Sequence, residues 1–235
     1  MPTLGRTQNV GFMPSPYSEQ QPVQIKRAYQ PLAFIASPPV LTMPSSRFPQ
    51  TFVFERSSFS NLVLSSDPDR FNQYQDLFYI ATHRASSGQP DLVIHAGPTS
   101  SSPELCSARF KYFSSTIDLL VRDQLVELRH TGFLSTNYSF TLPASQYGRP
   151  EVFEWKKGSR QEVAVLGAAS HGMKLVRSST GEVVAVYANI KFSLSKKGKM
   201  AFVGSGTAGQ LDGDWELLAL LSLMAILERG RRDSV

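Results

Sequence analysis

Short runs of alternating apolar and polar residues fill the chain from residue 51 onward, and they are rich in Val, Phe, Tyr and Thr. Clusters of Gly, Pro, Ser and Asp separate the runs, as is typical of β-strands joined by tight turns. The pattern predicts strands over residues 51–56, 60–65, 77–83, 91–95, 106–113, 115–121, 124–130, 137–142, 151–156, 162–166, 172–177, 182–190 and 199–204. It predicts turns at residues 67–69, 86–88, 179–181 and 196–198, and all but the first contain a glycine, which allows the positive φ of a tight turn.

The last apolar run differs from the others because it is continuous. Residues 215–227 read WELLALLSLMAIL, with Glu216 and Ser222 as the only polar members. A helix without a polar face lies in a membrane or in a protein core. This run spans roughly 20 Å as a helix, which is less than the ~30 Å of bilayer hydrocarbon. It therefore predicts a core helix over residues 215–228. The side chains of this helix expected in the protein core are Trp215, Leu217, Leu218, Leu220, Leu221, Leu223, Met224 and Leu227.

The ends of this helix carry suitable charges. Asp212 or Asp214 is expected to cap its N-terminus, because a carboxylate accepts hydrogen bonds from free backbone N–H groups. Arg229, Arg231 and Arg232 are expected to follow its last turn, where positive charge meets the negative end of the helix dipole.

About a dozen strands followed by one enclosed helix predict a mainly β fold in which a closed antiparallel barrel surrounds the helix. Closure removes exposed sheet edges. A barrel of about twelve strands has a lumen that its own side chains do not fill. The C-terminal helix is the only long apolar segment available to fill it.

Residues 1–50 differ in composition from the rest. They hold nine of the 15 prolines, many Ser and Gln, and Glu19 as the only acid. Such a segment buries too little apolar surface to offset its chain entropy. The sequence therefore predicts a disordered tail over residues 1–50 and one barrel domain over residues 51–235.

The global composition restricts the setting of the protein. A net charge of +5 and a pI near 9.4 are compatible with phosphate-bearing partners. Cys106 is the only cysteine, which excludes an internal disulfide and suits a reducing compartment. The first residues lack the basic and apolar regions of a secretory signal. We expect an intracellular monomer, cytoplasmic or peripheral to a membrane, with no transmembrane span.

Several segments in a fixed order resemble a known family. They are LFYIAT at residues 77–82, FEWK at 153–156, EVVAVY at 182–187, and the apolar helix that ends near Arg231 and Arg232. This order is similar to the fold of tubby C-terminal domains, phospholipid scramblases and plant LURP-one-related proteins, and most similar to fungal tubby-like domain proteins of unknown function. The resemblance spans about residues 51–233. It implies a barrel around a helix and transfers no functional residue.

One sequence motif suggests a cofactor. Residues 204–209, GSGTAG, match the GxGxxG fingerprint of dinucleotide-binding folds. That fingerprint needs a βαβ unit with a second parallel strand, but only a few residues follow the helix. The segment is therefore interpreted as a flexible link to the helix, and no cofactor is expected.

Metal-binding and catalytic residues show no recognisable spacing. His83, His95, His130 and His171 lie far apart in the sequence, and Cys106 has no local nucleophile signature. Asp212 and Asp214 resemble a calcium ligand pair, which the scramblase likeness suggests, but the rest of a calcium loop is missing. We expect no metal site and no enzymatic activity.

Basic residues form two clusters that flank predicted strands. Their members are Lys156, Lys157 and Arg160, and Lys191, Lys196, Lys197 and Lys199. If the clusters met on the barrel wall, they would attract anionic lipids such as phosphoinositides by ~1 kcal/mol per charge. Nucleic acid is not expected as a partner, because exposed aromatic residues do not interleave with these charges. The alternative interpretation is a structural or protein-interaction module that binds no lipid.

Overall fold

A computed structural model describes residues 48–58, 60–67, 75–111, 114–132, 137–143, 149–167, 172–190, 193, 195–207, 211 and 213–234. All of them belong to the unit Pro44–Val235. The tail predicted over residues 1–50 lies outside the described residues, except for its last three. Lys191, His171 and Asp212 also lie outside them.

The described residues form twelve strands, and each corresponds to a strand predicted from the sequence. Their bounds are β1 (Thr51–Arg56), β2 (Leu62–Ser66), β3 (Asp76–Thr82), β4 (Leu92–His95), β5 (Glu104–Phe110), β6 (Ile117–Val121), β7 (Gln124–His130), β8 (Tyr138–Leu142), β9 (Glu151–Gly158), β10 (Gly172–Arg177), β11 (Val183–Asn189) and β12 (Lys196–Phe202). Each strand pairs antiparallel with its neighbours in the chain, and β1 pairs with β12, Thr51 lying opposite Ala201. The predicted closed barrel is confirmed.

The one remaining predicted strand, residues 162–166, is wrong. Ala164–Leu166 is a 3-10 turn in the connection between β9 and β10. Val163 and Leu166 are buried against Val186, Ala188 and Ala201 on the barrel wall. The connection therefore carries apolar residues because it packs on the outside of the barrel, and this burial imitates the alternation of a strand.

Two predicted turns are confirmed and one is wrong. Gly88 and Gly181 have φ values of 73° and 74°, as the predicted turns at residues 86–88 and 179–181 require. Residues 196–198 instead begin β12. A Cβ on Gly198 would lie 2.5 Å from the ring of Tyr187, so this glycine leaves room for a ring that crosses the strand. Of the turn predicted at residues 67–69, only Asp67 is described.

The single α-helix of the described residues, α1 (Gly213–Asp233), occupies the lumen of the barrel. Seven of the eight predicted core side chains are buried, and Leu227 is half-buried. The helix is longer than the predicted 215–228, so Arg229, Arg231 and Arg232 lie in its last turns and do not follow it. Asp214 lies in the first turn and forms an ion pair of 3.0 Å with Arg122.

The polar Ser222 has a role inside the lumen. Trp155 of β9 donates an indole N–H to the hydroxyl of Ser222 at 2.8 Å, and that hydroxyl donates to the carbonyl of Ala219 at 3.0 Å. Both side chains are fully buried, so the hydrogen bond satisfies an indole that would otherwise have no partner. The bond also sets the rotation of α1 relative to β9.

Aromatic rings fill the barrel around the N-terminus of α1. Phe48 stacks on Phe78 with ring centroids 5.1 Å apart, and Phe202 contacts both Phe52 and Trp215 at 5.5 and 5.3 Å. This end of the barrel is therefore closed by rings. Because Phe48 takes part in the packing, the folded domain begins at or before residue 48, ahead of the predicted boundary at 51.

The carboxylate of Glu162, in the connection outside the barrel, is expected to make the stability of the domain depend on pH. Hydrogen bonds from Lys174 at 2.7 Å and from the Ser159 backbone N–H at 2.7 Å lower the pKa of Glu162 to about 2. A lowered folded-state pKa stabilises the fold above the ordinary value of 4.5, and this contribution is lost as pH falls from 4.5 to 2. We expect Glu162→Gln to be less stable than wild type at pH 7, and the difference to shrink across this window. Urea unfolding at several pH values measures it.

Glu104→Gln serves as the control for the loss of one carboxylate. Glu104 is exposed and has no basic partner among the described residues. If the unfolding free energy of Glu162→Gln differed from that of wild type by the same amount at pH 7 and at pH 2, the pH dependence could not be assigned to Glu162.

Candidate functional site

The barrel end at the C-terminus of α1 contains a cavity, and we call this the open end. Here β1 ends, β12 begins and α1 leaves the lumen. The cavity measures about 320 Å³, close to the lower limit of typical ligand sites. Its apolar lining consists of Phe54, Leu62, Ile80, Leu92, Met224 and Leu227.

The rim of the cavity is mostly cationic. Arg56, Lys197 and Arg231 contribute three positive charges to its lining, and Glu228 contributes the only negative one among the described residues. Arg56 is exposed, and the side chain of Arg231 is 52% exposed. An anion at the rim would therefore meet groups that remain in contact with water.

Glu228 is neutralised by its neighbours on α1. Burial by itself would raise the pKa of Glu228, but hydrogen bonds from Arg231 and Arg232 outweigh it and hold the pKa below its usual value. Arg231 donates two of them at 2.7 Å, and Arg232 donates one at 2.8 Å. The carboxylate is thus fully paired and does not cancel the charge of Arg56 and Lys197.

Arg232 fastens the last turn of α1 to the barrel. Its guanidinium donates to Asp91 at 2.6 Å and to the carbonyl of His83 at 2.8 Å, and it lies 4.6 Å above the ring of Phe110. Asp91 is buried and also accepts the backbone N–H of Phe110 at 2.9 Å. Arg232 is therefore a structural residue of the open end, whereas Arg231 faces the cavity.

Tyr187 forms part of the cavity wall. Its ring crosses β12 at Gly198, and its hydroxyl donates to Asn189 at 2.6 Å. Burial raises the pKa of Tyr187, so the phenol stays neutral. It offers a hydrogen-bonding hydroxyl beside the apolar lining and carries no charge.

The two predicted basic clusters do not meet. Lys156 and Lys157 lie on β9, and Lys196, Lys197 and Lys199 lie on β12. Two strands, β10 and β11, separate them, a distance of about 14 Å at the usual strand spacing. The strand positions of Lys196 and Lys197 are contrary to the turn predicted at residues 196–198.

Two of the predicted lysines are engaged in ion pairs. Lys156 contacts Glu154 at 2.8 Å on the outer wall. Lys199 is 16% exposed and contacts buried Asp67 at 3.1 Å. These contacts give both lysines a structural role.

The remaining described members of the clusters gather at the open end. Lys157 is exposed at the end of β9, and Arg160 follows in the exposed connection. Lys196 and Lys197 are half-buried at the start of β12. Strand pairing brings the end of β9, the start of β10, the end of β11 and the start of β12 to the same barrel end. Their role in lipid binding stays a prediction.

The structure adds Arg56 and Arg231 to this group. Neither was expected at a binding site, since Arg56 is isolated in sequence and Arg231 was assigned to the helix terminus. In the sequence, Arg56 is marked only as a basic residue at the end of a predicted strand, beside a Ser-rich turn. This pattern is too common to identify a binding residue. Only barrel closure places it against β12 and α1.

The glycine motif is occupied by a side chain of the protein. Gly204–Gly206 form a 3-10 turn, and Ser205 donates its backbone N–H and its hydroxyl to Glu182 at 2.7 and 2.8 Å. A Cβ on Gly206 would lie 2.3 Å from the carbonyl of Val184. Gly204 and Gly206 thus permit close packing, and residues 204–207 form a tied turn where a flexible link was expected, while residues 208 and 209 lie outside the described residues.

The candidate nucleophile is buried, and each described histidine has a contact of its own. Cys106 is buried, and this burial, together with the charge of Glu104, raises the pKa of its thiol. His83 and His95 each place Nδ1 2.8 Å from a backbone carbonyl, while His130 packs against Tyr138. Within the described ranges, no group of three His, Cys, Asp or Glu side chains is arranged to hold a metal ion.

Comparisons with known proteins add no relative. Neither models of protein families, nor curated proteins, nor solved structures show significant similarity to this chain. The tubby-like resemblance therefore stays a prediction. In the part of the chain that the structure describes, no helix has the length and apolarity needed to cross a bilayer.

Proposed function

We propose that this domain is a non-enzymatic, intracellular binding module that docks its open end on anionic membrane lipids, phosphoinositides among them. The observation that supports this is the gathering of Arg56, Lys157, Arg160, Lys196 and Lys197 at one end of the barrel. The proposal includes a distant relationship to tubby-like domains, supported by twelve antiparallel strands around a C-terminal helix.

The distribution of charge favours one orientation at a membrane. Among the described residues, six carboxylates lie at the strand ends opposite the open end, against three arginines and Lys199, which pairs with one of the six. The carboxylates are Asp67, Asp76, Glu104, Asp123, Glu151 and Glu182, and the arginines are Arg122, Arg149 and Arg177. The negative surface potential of a membrane would attract the open end and repel the acidic end.

Partner-free cations contribute most to such docking. Lys157 and Arg160 are exposed, and neither they nor Lys196 forms an ion pair among the described residues, although Glu55 lies opposite Lys196 in the pairing of β1 with β12. A charge near an anionic membrane is worth ~1 kcal/mol, and the attraction decays over a Debye length of about 8 Å at physiological salt. Binding is therefore expected to weaken steeply as salt rises.

The test measures co-sedimentation with vesicles of phosphatidylcholine containing a few per cent phosphoinositide. We expect Lys157→Gln with Lys196→Gln to lower the partition coefficient about 30-fold at low salt, as follows from ~2 kcal/mol for two charges. The matched control is Arg122→Gln with Arg149→Gln, which removes the same charge at the acidic end and should bind like wild type.

Two results would contradict the proposal. The first is that wild-type protein does not bind the anionic vesicles at low salt. The second is that the control double variant loses as much affinity as the open-end double variant. Thermal melting of each variant confirms that the barrel is intact.

The alternative is a protein-interaction module without lipid binding. The observation that favours it is an exposed apolar pair on the outer wall, Leu120 of β6 and Leu125 of β7, with exposures of 42% and 62%. This alternative is supported if the wild-type protein does not bind the vesicles and Leu125→Asp abolishes capture of a protein partner.

A further inference from the structure

We propose that the cavity at the open end binds the alkyl chain of a single-chain carboxylate amphiphile, such as a fatty acid, whose head group lies among Arg56, Lys197 and Arg231. This ligand would bind as a monomer from solution. The inference goes beyond membrane docking and does not depend on it.

The apolar part of the cavity suits an alkyl chain. Phe54, Ile80 and Leu92 lie at the base of the cavity and are packed so that at most 1% of their surface is exposed. Leu62 and Leu227 are half-buried and line the walls above this base. An alkyl chain that packs against these side chains leaves water and gains favourable dispersion contacts.

Met224 gives this lining room to adapt. Its unbranched thioether side chain has several rotatable bonds, so it can move against an inserted chain at small cost. At the opposite end of the lumen, the rings of Phe48, Phe52 and Phe202 pack against one another.

The polar part of the cavity suits one anionic head group. Three cations surround the opening, and the carboxylate of Glu228 is already paired with Arg231 and Arg232. A guanidinium can donate two parallel hydrogen bonds to a carboxylate. Arg56 is exposed and has no acidic partner among the described residues, so its donors are available.

Calorimetric titration of the wild-type protein with a series of linear carboxylates, from hexanoate to dodecanoate, tests the proposal. Each ligand is used below the concentration at which it forms micelles. Affinity is expected to rise about fourfold per added methylene, and then to level off when the lining is filled. The neutral alcohol of equal length is expected to bind at least tenfold more weakly, because it lacks the charge-assisted hydrogen bonds.

Two variants and one control locate the site. Leu62→Trp fills the cavity from the wall and is expected to abolish decanoate binding, while Leu125→Trp places the same bulk on the outer wall and should leave it unchanged. Arg56→Gln is expected to lower affinity about tenfold and to reduce the preference for the carboxylate over the alcohol. Because Arg56 is exposed, this variant tests the site even if Leu62→Trp does not fold.

Failure of this inference is distinguishable from failure of membrane docking. Affinity that does not change with chain length, no binding to any of the carboxylates, or unaltered binding by Arg56→Gln would overturn the cavity assignment. Lys157→Gln with Lys196→Gln, by contrast, is expected to weaken vesicle binding and to leave decanoate affinity within about twofold of wild type, since neither residue lines the cavity.

Discussion

Replacing Leu220 with Asp is expected to abolish cooperative folding. Leu220 is fully buried at the centre of α1, with the barrel wall around it. An unpaired charge there would cost several kcal/mol, against a total stability of about 5–15 kcal/mol for a typical domain. Near-ultraviolet circular dichroism and thermal melting measure the loss of packed structure.

Leu125→Asp is the matched control for this prediction. It introduces the same charge on the outer wall, where Leu125 is 62% exposed. Its melting midpoint should lie within a few degrees of wild type, because surface substitutions cost little. A Leu220→Asp protein that melts cooperatively near the wild-type temperature would contradict a helix enclosed by the barrel.

The second large effect is expected from Arg232→Met. Met keeps the apolar contact with Phe110 but removes the donors to Asp91, Glu228 and the carbonyl of His83. Loss of one partner from a buried ion pair leaves an uncompensated carboxylate and costs about 3 kcal/mol. For a domain of this size, that corresponds to a fall of about 10 °C in melting temperature.

Arg231→Met is the comparison for Arg232→Met. Arg231 also contacts Glu228, but its side chain is 52% exposed, and Arg232 remains on the same carboxylate. We expect a change below about 1 kcal/mol. Equal destabilisation by the two substitutions would show that Arg232 does not fasten α1 to the barrel.

The candidate site was only partly predictable from the sequence. Lysine-rich segments on β9 and β12 were recognised as basic, yet ion pairs engage Lys156 and Lys199. Side-chain direction and pairing are tertiary properties, which composition does not contain. Arg56 lies far in sequence from both Lys197 and Arg231, so the rim they share follows from the β1–β12 pairing and from the position of α1.

Local patterning was enough for the elements themselves. The period-2 runs marked twelve strands within a few residues of their observed bounds, because strands with one buried face must alternate. The helix at residues 215–227 was predictable because a run without a wet face must be enclosed. The strand predicted at residues 162–166 was wrong for a related reason. Burial against the outside of the barrel produces an apolar pattern similar to that of a strand.

The amino-acid sequence by itself determined the strands, the buried helix and the need for a wall around that helix, because hydrophobic burial acts through periodicity along the chain. The tertiary structure alone decided which end of the lumen is closed by rings and which retains a cavity. It also decided which basic residues keep their charges available to a ligand. Those outcomes depend on contacts between residues remote in sequence, such as Trp155 with Ser222 and Arg232 with Asp91.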